Sequence, residues 1–178
     1  NQRRMIDESP AGAEFKAALR GKLDALLALA EATDCRRVRL LAYFDEPSEP
    51  CGNCDNCISP PAVWDATDAA RKLLSTIYRV QQASGITFGA GHLMDVLRGK
   101  ATDKVAQFGH DKLSTFGLGA DLSEHQLRGV LRQLVATGAV GLEKVHLDNG
   151  HSFETLALTD ASRSVLRGEV PVRLRETV

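Results

Sequence analysis

Four cysteines carry the reactive chemistry of this sequence. Three lie in "CGNCDNC", residues 51–57, and the fourth, Cys35, stands fifteen intervening residues upstream. The pattern is Cys35-x15-Cys51-x2-Cys54-x2-Cys57. Overlapping C-x2-C knuckles are poor disulfide geometry, because three cysteines in one short loop leave at most one for the distant Cys35. A C-x2-C turn does suit a single tetrahedral metal, since it aims two thiolates at one point. Gly52 permits the tight backbone, and Asn53, Asp55 and Asn56 are turn formers. Four thiolates select zinc over harder metals. A thioredoxin-like redox pair lacks its strand-then-helix frame here. An iron–sulfur cluster is the other metal reading that four cysteines allow. Sulfur at all four positions leaves no place for water or substrate, so a zinc ion at Cys35, Cys51, Cys54 and Cys57 is expected to be structural.

The rest of the composition is neutral ground. The chain has 178 residues, 43% hydrophobic and 25% charged, which suits one or two compact domains. Lys and Arg total 22 against 23 Asp and Glu, a net charge of −1, so any face that binds nucleic acid must be local. No apolar run is long enough to span a membrane, and the polar "NQRRMIDESPAG" lacks a signal-peptide core, which favours the cytoplasm. The chain starts without Met and reads like the middle of a longer polypeptide. No Ser–His–Asp set, paired carboxylates or His-rich cluster stands out, so the chain is expected to be non-catalytic.

The elements that must hold the cysteines are helical. Residues 13–32 carry Phe15, Leu19, Leu23, Leu26, Leu27 and Ala30 at helical spacing. Thr33 and Asp34 read as an N-cap pair for a second helix, "CRRVRLLAYF", with Cys35 at its start. A metal would pin the cysteine loop back onto that helical hairpin. Ser59, Pro60 and Pro61 mark a boundary. Beyond it, residues 68–83 form a helix with Ala69, Leu73, Ile77 and Val80 on one face, "GITFG" is extended, and residues 91–98 form a helix ended by Gly99. Residues 123–137 form a helix capped by Ser123, with Leu127, Val130, Leu131 and Leu134 inward. Residues 140–147 and 151–158 alternate around "DNG", a hairpin signal, and a short helix covers 160–166. Helix, short strand, helix, helix, hairpin is the order of a winged helix. The expected fold is therefore mainly α with a small β-hairpin: a zinc-stapled helical hairpin at 13–61 and a winged helix at 62–170, between a tail at 1–12 and a linker at 171–178.

This layout resembles the C-terminal region of bacterial RecQ-family DNA helicases. "CRRVRLLAYFDE" followed by "EPCGNCDNC" is similar to the family's zinc module, and "LSTIYRV", "VLRGK", "GHDKLSTFGLG", "LRQL" and "LTDASRSVLRGE" resemble its winged-helix (RQC) segments in the same order. The resemblance covers residues 10–170. It implies an accessory region of a 3′–5′ helicase: the chain has no G-x-x-x-x-G-K-[ST] phosphate loop, so ATP and Mg2+ would belong to motor domains outside it. Residues 1–12 would then be the tail of the second motor domain, and the setting would be the bacterial cytoplasm at the nucleoid.

The resemblance also assigns candidate residues. Arg98, Lys100 and Lys104 match positions that contact duplex phosphates, and flexible cations beside a glycine suit such a track. Lys112, in "GHDK", could reach phosphate, while His110 beside it suits either phosphate or a buried polar contact. Arg128 and Arg132 lie one turn apart on the third winged-helix helix, with His125 before them. In the wing, Phe153 with His146 and His151 could stack on an end base pair, or Phe153 could pack inward. Arg79, Arg163 and Arg167 resemble the basic pocket that docks the acidic, Phe-ended tail of single-stranded DNA-binding protein, a carboxylate that arginine forks suit. Solvated surface is the plain alternative for each of these cations. Two other functions fit the same elements: a zinc-containing winged-helix transcription regulator, which requires a palindromic site and a dimer, and a protein-interaction module.

Overall fold

The computed structural model describes residues 2–176. Residue 1 of the expected tail, and residues 177 and 178 of the expected linker, lie outside the described residues. The chain divides into two compact units, one made of residues up to Val63 with the segment from Arg175, the other of Trp64–Leu174.

The first unit opens with α1 (Gln2–Glu8), which packs on α2 (Ala13–Ala30). Ion pairs join them: Arg3 donates to Asp24 at 2.6 Å, and Arg20 pairs with Asp7. Helix α2 is rich in Ala and Leu, strong helix formers. It ends two residues earlier than its periodicity suggests. Its apolar stripe is not a core, because Phe15, Leu26 and Leu27 are exposed. Helix α3 (Arg36–Ala42) is preceded by Cys35 as N-cap, not by the Thr33–Asp34 pair. Asp34 instead pairs with Arg39. Asp45 then adopts φ 58°, and the bonds Asp45 N–H to Ala42 O and Glu46 N–H to Leu41 O close a Schellman turn. A single turn, α4 (Asp55–Ile58), follows the cysteine loop.

The second unit has a continuous hydrophobic core. After β1 (Val63–Asp65), helix α5 (Thr67–Ser84) buries Ala69, Leu73, Leu74, Ile77 and Val80, and Gly85 at φ 71° ends it. Helix α6 (Ala90–Leu97) buries Leu93, Met94, Val96 and Leu97 against it. A short α7 (Asp103–Gln107) and a 3-10 turn at His110–Lys112 follow. The next loop presses on α6: Gly119 N–H donates to Leu97 O, and a Cβ there would lie 2.8 Å from Leu97 Cγ. Helix α8 (Glu124–Ala136) starts with a full capping box, Ser123 accepting from Gln126 N–H while the Gln126 side chain accepts from Ser123 N–H. It buries Leu127, Val130, Leu131 and Leu134, each contributing roughly 1.5–3 kcal/mol when fully buried.

The hairpin pairs β2 (Val140–His146) with β3 (Ser152–Leu158), from Val140 opposite Leu158 to His146 opposite Ser152. Its turn has three residues, 148–150, with Gly150 at φ 79° and Leu147 N–H donating to His151 O. Phe88 of "GITFG" bridges to Leu156, so that segment adds a third pairing to the hairpin. The short α9 (Ser162–Leu166) packs on α5. Residues 173–175, within the stretch expected to be a linker, form strand β4 (Arg173–Arg175), with Val172 and Leu174 buried.

Two histidines lie inside this unit. His110 is fully buried, which answers the choice between phosphate and interior. Ser84 donates its hydroxyl to Val80 O, so its oxygen accepts from His110 Nε2–H at 2.6 Å. The His110 Nδ1 lone pair then accepts from His92 Nε2–H at 2.7 Å. Both imidazoles in this directed chain are neutral. Burial first, then the nearness of the titratable His110 and of the Lys104 ammonium, pushes His92 down to about 4, and burial also lowers His110. The unfolded histidines therefore take up protons that the folded ones refuse. Their contribution is complete above the ordinary value of about 6.5 and is lost as pH falls toward 4. Thermal unfolding between pH 7 and pH 4 is expected to lose on the order of 1–3 kcal/mol through this pair. His92→Gln, which keeps a donor but cannot titrate, is expected to flatten that loss; an equally steep profile would assign it to other groups.

Candidate metal centre and nucleic-acid interface

The four cysteines come together from three segments. Cys35 precedes α3, Cys51 lies in the loop, Cys54 is the N-cap of α4, and Cys57 follows within its single turn. Their Sγ atoms all lie within 4.8 Å of one another. A zinc–sulfur bond of ~2.3 Å gives a tetrahedral edge of ~3.8 Å, so a small contraction completes the shell. None of the four is in a disulfide. Gly52 takes φ 69°, which turns the loop, and backbone amides point at sulfur: Cys51 N–H to Cys35 Sγ and Cys54 N–H to Cys51 Sγ, both 3.3 Å. Amide donors from Cys51 and Val38 lower the Cys35 thiol to about 6, and the Arg36 amide lowers Cys54. Cys57 rises to about 11, chiefly because it donates to the Cys54 sulfur. This is a donor set for a soft, tetrahedral cation, and four sulfurs close its shell. A zinc ion here would cross-link the loop to the start of α3 and leave no position for a reacting ligand.

A polar frame surrounds the sulfurs, and sequence reasoning missed most of it. Arg36 forks onto Asp55 (2.7 and 2.9 Å) and donates to Leu29 O and Ala30 O at the end of α2. That contact holds the Asp55 carboxyl below its ordinary range. Buried Asn56 donates to Ala32 O and Asp34 O at 2.8 and 2.7 Å. Arg175 donates to Ala32 O at 2.9 and 3.1 Å and to Asn56 Oδ1. One clue was present, Asn56 being a turn residue between two cysteines. Arg175 lies 119 residues from Asn56, and nothing local announces it.

In the second unit, the expected cations are not equally available. Arg98 lies 3.5 Å from Glu124, its Nε buried without a hydrogen-bond partner, and Arg128 donates to the same carboxylate at 2.7 Å. Glu124 thus sits between two candidate phosphate ligands, and Arg128 first lowers its carboxyl. Lys100 lies 3.9 Å from Asp95. Lys112 and Lys104 are exposed and have no ion pair among the described residues. Lys104 Nζ stands 5.5 Å from the Phe88 ring centre. Arg132 is exposed on α8.

Phe153 is neither at the hairpin tip nor buried. It lies opposite Val145, 44% exposed, and lines a groove of about 480 Å3 with Ile86, Phe88, Lys104 and Phe108. His146 and His151 are exposed nearer the turn. Arg79 is exposed on α5; Arg163 and Arg167 are exposed on and just after α9, 3.5 Å from Asp160 and 3.9 Å from Glu169. No helix among the described residues is long and apolar enough to cross a membrane.

Comparison with known proteins adds the family. The model of the RecQ zinc-binding family matches residues 1–58, and that of the RQC domain matches residues 60–178. The chain is 41% identical over 154 residues to the ATP-dependent DNA helicase RecQ of Haemophilus influenzae, covering 86% of this chain and 23% of that protein. The same-named protein of Bacillus subtilis is 30% identical over 178 residues, 99% of this chain and 28% of that protein. The yeast ATP-dependent helicase SGS1 is 24% identical over 165 residues, 88% of this chain and 11% of that protein. The chain thus spans about a quarter of the length of the bacterial relatives. The zinc-binding family match and the four-thiol cluster together support a structural zinc.

Metal analysis of the purified chain is expected to find one zinc per molecule, and a strong chelator to lower its thermal midpoint. Arg175→Ala is expected to release zinc to chelator about tenfold faster, as loss of outer-shell support typically does. Arg175→Lys should restore little, because an ammonium cannot reproduce the fork. An unchanged release rate in Arg175→Ala would separate this frame from the metal centre.

Proposed function

This chain belongs to the RecQ family of DNA helicases, as its zinc-binding and RQC modules, and on that premise we propose that it is a non-catalytic DNA-binding and structural region of an ATP-dependent 3′–5′ helicase. The observation that carries this reading is the consecutive match of both family modules along one chain. Zinc stabilises the helical hairpin, and the winged helix holds duplex and junction DNA. The motor, with ATP and Mg2+, belongs to the portion of the relatives outside this chain. The domain plan is a motor-domain tail at 1–12, the zinc module at 13–61 and the winged helix at 62–170, with β4 in the segment after it. Working at the bacterial nucleoid in the cytoplasm follows from the DNA partner.

Binding in this reading is mostly to phosphates. Lys104 and Lys112 present cations with no ion pair among the described residues, while Arg98, Lys100 and Arg128 exchange carboxylates for phosphate. Arg132 extends the face along α8, and Phe153 serves a duplex end. Arg79, Arg163 and Arg167 serve a different partner, the acidic, Phe-ended tail of single-stranded DNA-binding protein, through charge-assisted forks.

Fluorescence anisotropy with a forked duplex and random-sequence duplexes across salt tests the reading. Affinity is expected to fall linearly on a log–log plot, with a slope of about −0.9 per phosphate contacted, and to favour the fork over any sequence. Lys104→Ala and Lys112→Ala should each make the slope shallower by about one contact. A strong preference for one palindrome, with a stable dimer in solution, would replace this reading with the transcription regulator.

A further inference from the structure

One carboxylate faces three of the candidate phosphate ligands. Arg128 Nε and Nη2 both donate to Glu124 Oε1, at 3.0 and 2.7 Å. Arg98 Nη1 approaches Oε2 at 3.5 Å. Lys100, which also lies 3.9 Å from Asp95, is the third cation: with Arg98, and after Arg128, it holds the Glu124 carboxyl below its ordinary range. These cations come from the end of α6, the loop after it and α8, and they converge on one anion position. Glu124 is not needed to start its helix, because Ser123 and Gln126 already complete the capping box. Nor does it serve its neighbours evenly. The Arg98 contact is at the limit of a hydrogen bond, and Arg98 Nε is buried with no acceptor. The Glu124 side chain is 42% exposed, so it is free to swing out into solvent.

A half-exposed carboxylate among three cations has the arrangement of a phosphate site that is already filled. The occupant is tethered, so its effective concentration is high, and a free phosphate or nucleotide must compete with it. A duplex competes on better terms. Its other phosphates engage the remaining cations of this unit, which makes the displacement of Glu124 an intramolecular event. Exposed ion pairs are weak enough to give way to it. We propose that Glu124 is an internal stand-in for a DNA phosphate, a gate that closes Arg98, Lys100 and Arg128 to small anions and yields them to a polyanion. The proposal rests on the DNA-binding reading above and names how this part of it is regulated. Selectivity at this position then lies in an acid and not in a cation, and removal of that acid raises affinity.

The test uses the whole chain, a random-sequence duplex titrated across salt, and Glu124→Gln, which keeps the side chain's shape and removes its charge. Fluorescence anisotropy is expected to show binding tighter by about fivefold at low salt and a log–log slope steeper by about 0.9, one further phosphate. Glu14→Gln removes an exposed carboxylate of the first unit, so it makes the same change in net charge. Its affinity is expected to stay within roughly twofold of the unaltered chain. With Arg128→Ala added, the gain from Glu124→Gln is expected to fall by about half or more, because fewer cations are released. Inorganic pyrophosphate gives a second readout. It is expected to raise the thermal midpoint of Glu124→Gln and to leave that of the unaltered chain in place. A carboxylate that only staples α8 to α6 behaves in the opposite way: Glu124→Gln then lowers the midpoint and leaves duplex affinity unchanged or weaker. That result, or a midpoint raised equally by pyrophosphate in both forms, overturns the gate, while the expected salt slope in the unaltered chain keeps the DNA reading standing. If neither form binds duplex at the lowest salt, both fall.

Discussion

Four sulfurs confined within 4.8 Å of each other are the constraint on which the first unit depends. At an effective dielectric of ~20, two unit charges 4 Å apart interact by about 4 kcal/mol. Four thiolates therefore cannot share this space without a cation. The hydrogen bonds among them act in the same sense, amide donors drawing the Cys35 thiol down and donation to the Cys54 sulfur pushing Cys57 up. A divalent ion held by these four sulfurs would displace their protons and turn mutual repulsion into attraction, so its binding would also be folding free energy. The unit has little else to rely on. Among its described residues only Ala32, Cys35 and Asn56 are buried, and all three belong to the metal frame. Leu26, Leu40, Tyr43 and Phe44 border an open groove of about 770 Å3 in place of a core.

The second unit is built the other way. Apolar faces of α5, α6 and α8 and the inner side of the hairpin form one cluster with Ala66, Phe88 and Val165. Its buried polar groups are arranged to need no charge: Ser84, His110 and His92 form a directed chain that satisfies every proton along it. That chain links the end of α5, the start of α6 and the turn after α7. Phe88 lies just before α6, Lys104 within α7 and Phe108 at the end of α7, so the chain of hydrogen bonds joins the segments next to them.

How much of this was legible depended on range. Cys51, Cys54 and Cys57, the Ser123–Gln126 cap and the buried face of α8 are set within a few residues, and local pattern reveals them, with Cys35 fifteen intervening residues upstream. Asp34 shows where local rules mislead: it has the cap residue's chemistry, but Arg39 one turn on claims its carboxylate. Phe15 and Leu27 show the limit of periodicity, which marks a face as apolar without saying what covers it. Arg175 was invisible because its partner Ala32 is 143 residues away, and Glu124 was only half legible: its pair with Arg128 is a local i,i+4 pattern, whereas Arg98, 26 residues off, meets it only in the folded chain.

The net charge of −1 can be read in the same physical terms. Arg98 and Arg128 share Glu124, and Lys100 has Asp95 nearby. A phosphate reaching these cations must displace a carboxylate already in place, so each such contact is an exchange with a small net gain. Lys104 and Lys112 need no exchange and would dominate a first encounter. Exposed ion pairs of this kind contribute only about 0–1 kcal/mol each, so a polyanion with a higher local charge density can outcompete them. A surface of this design does not attract every anion. In the proposed reading, the anion that suits it is one whose several phosphates displace these carboxylates together.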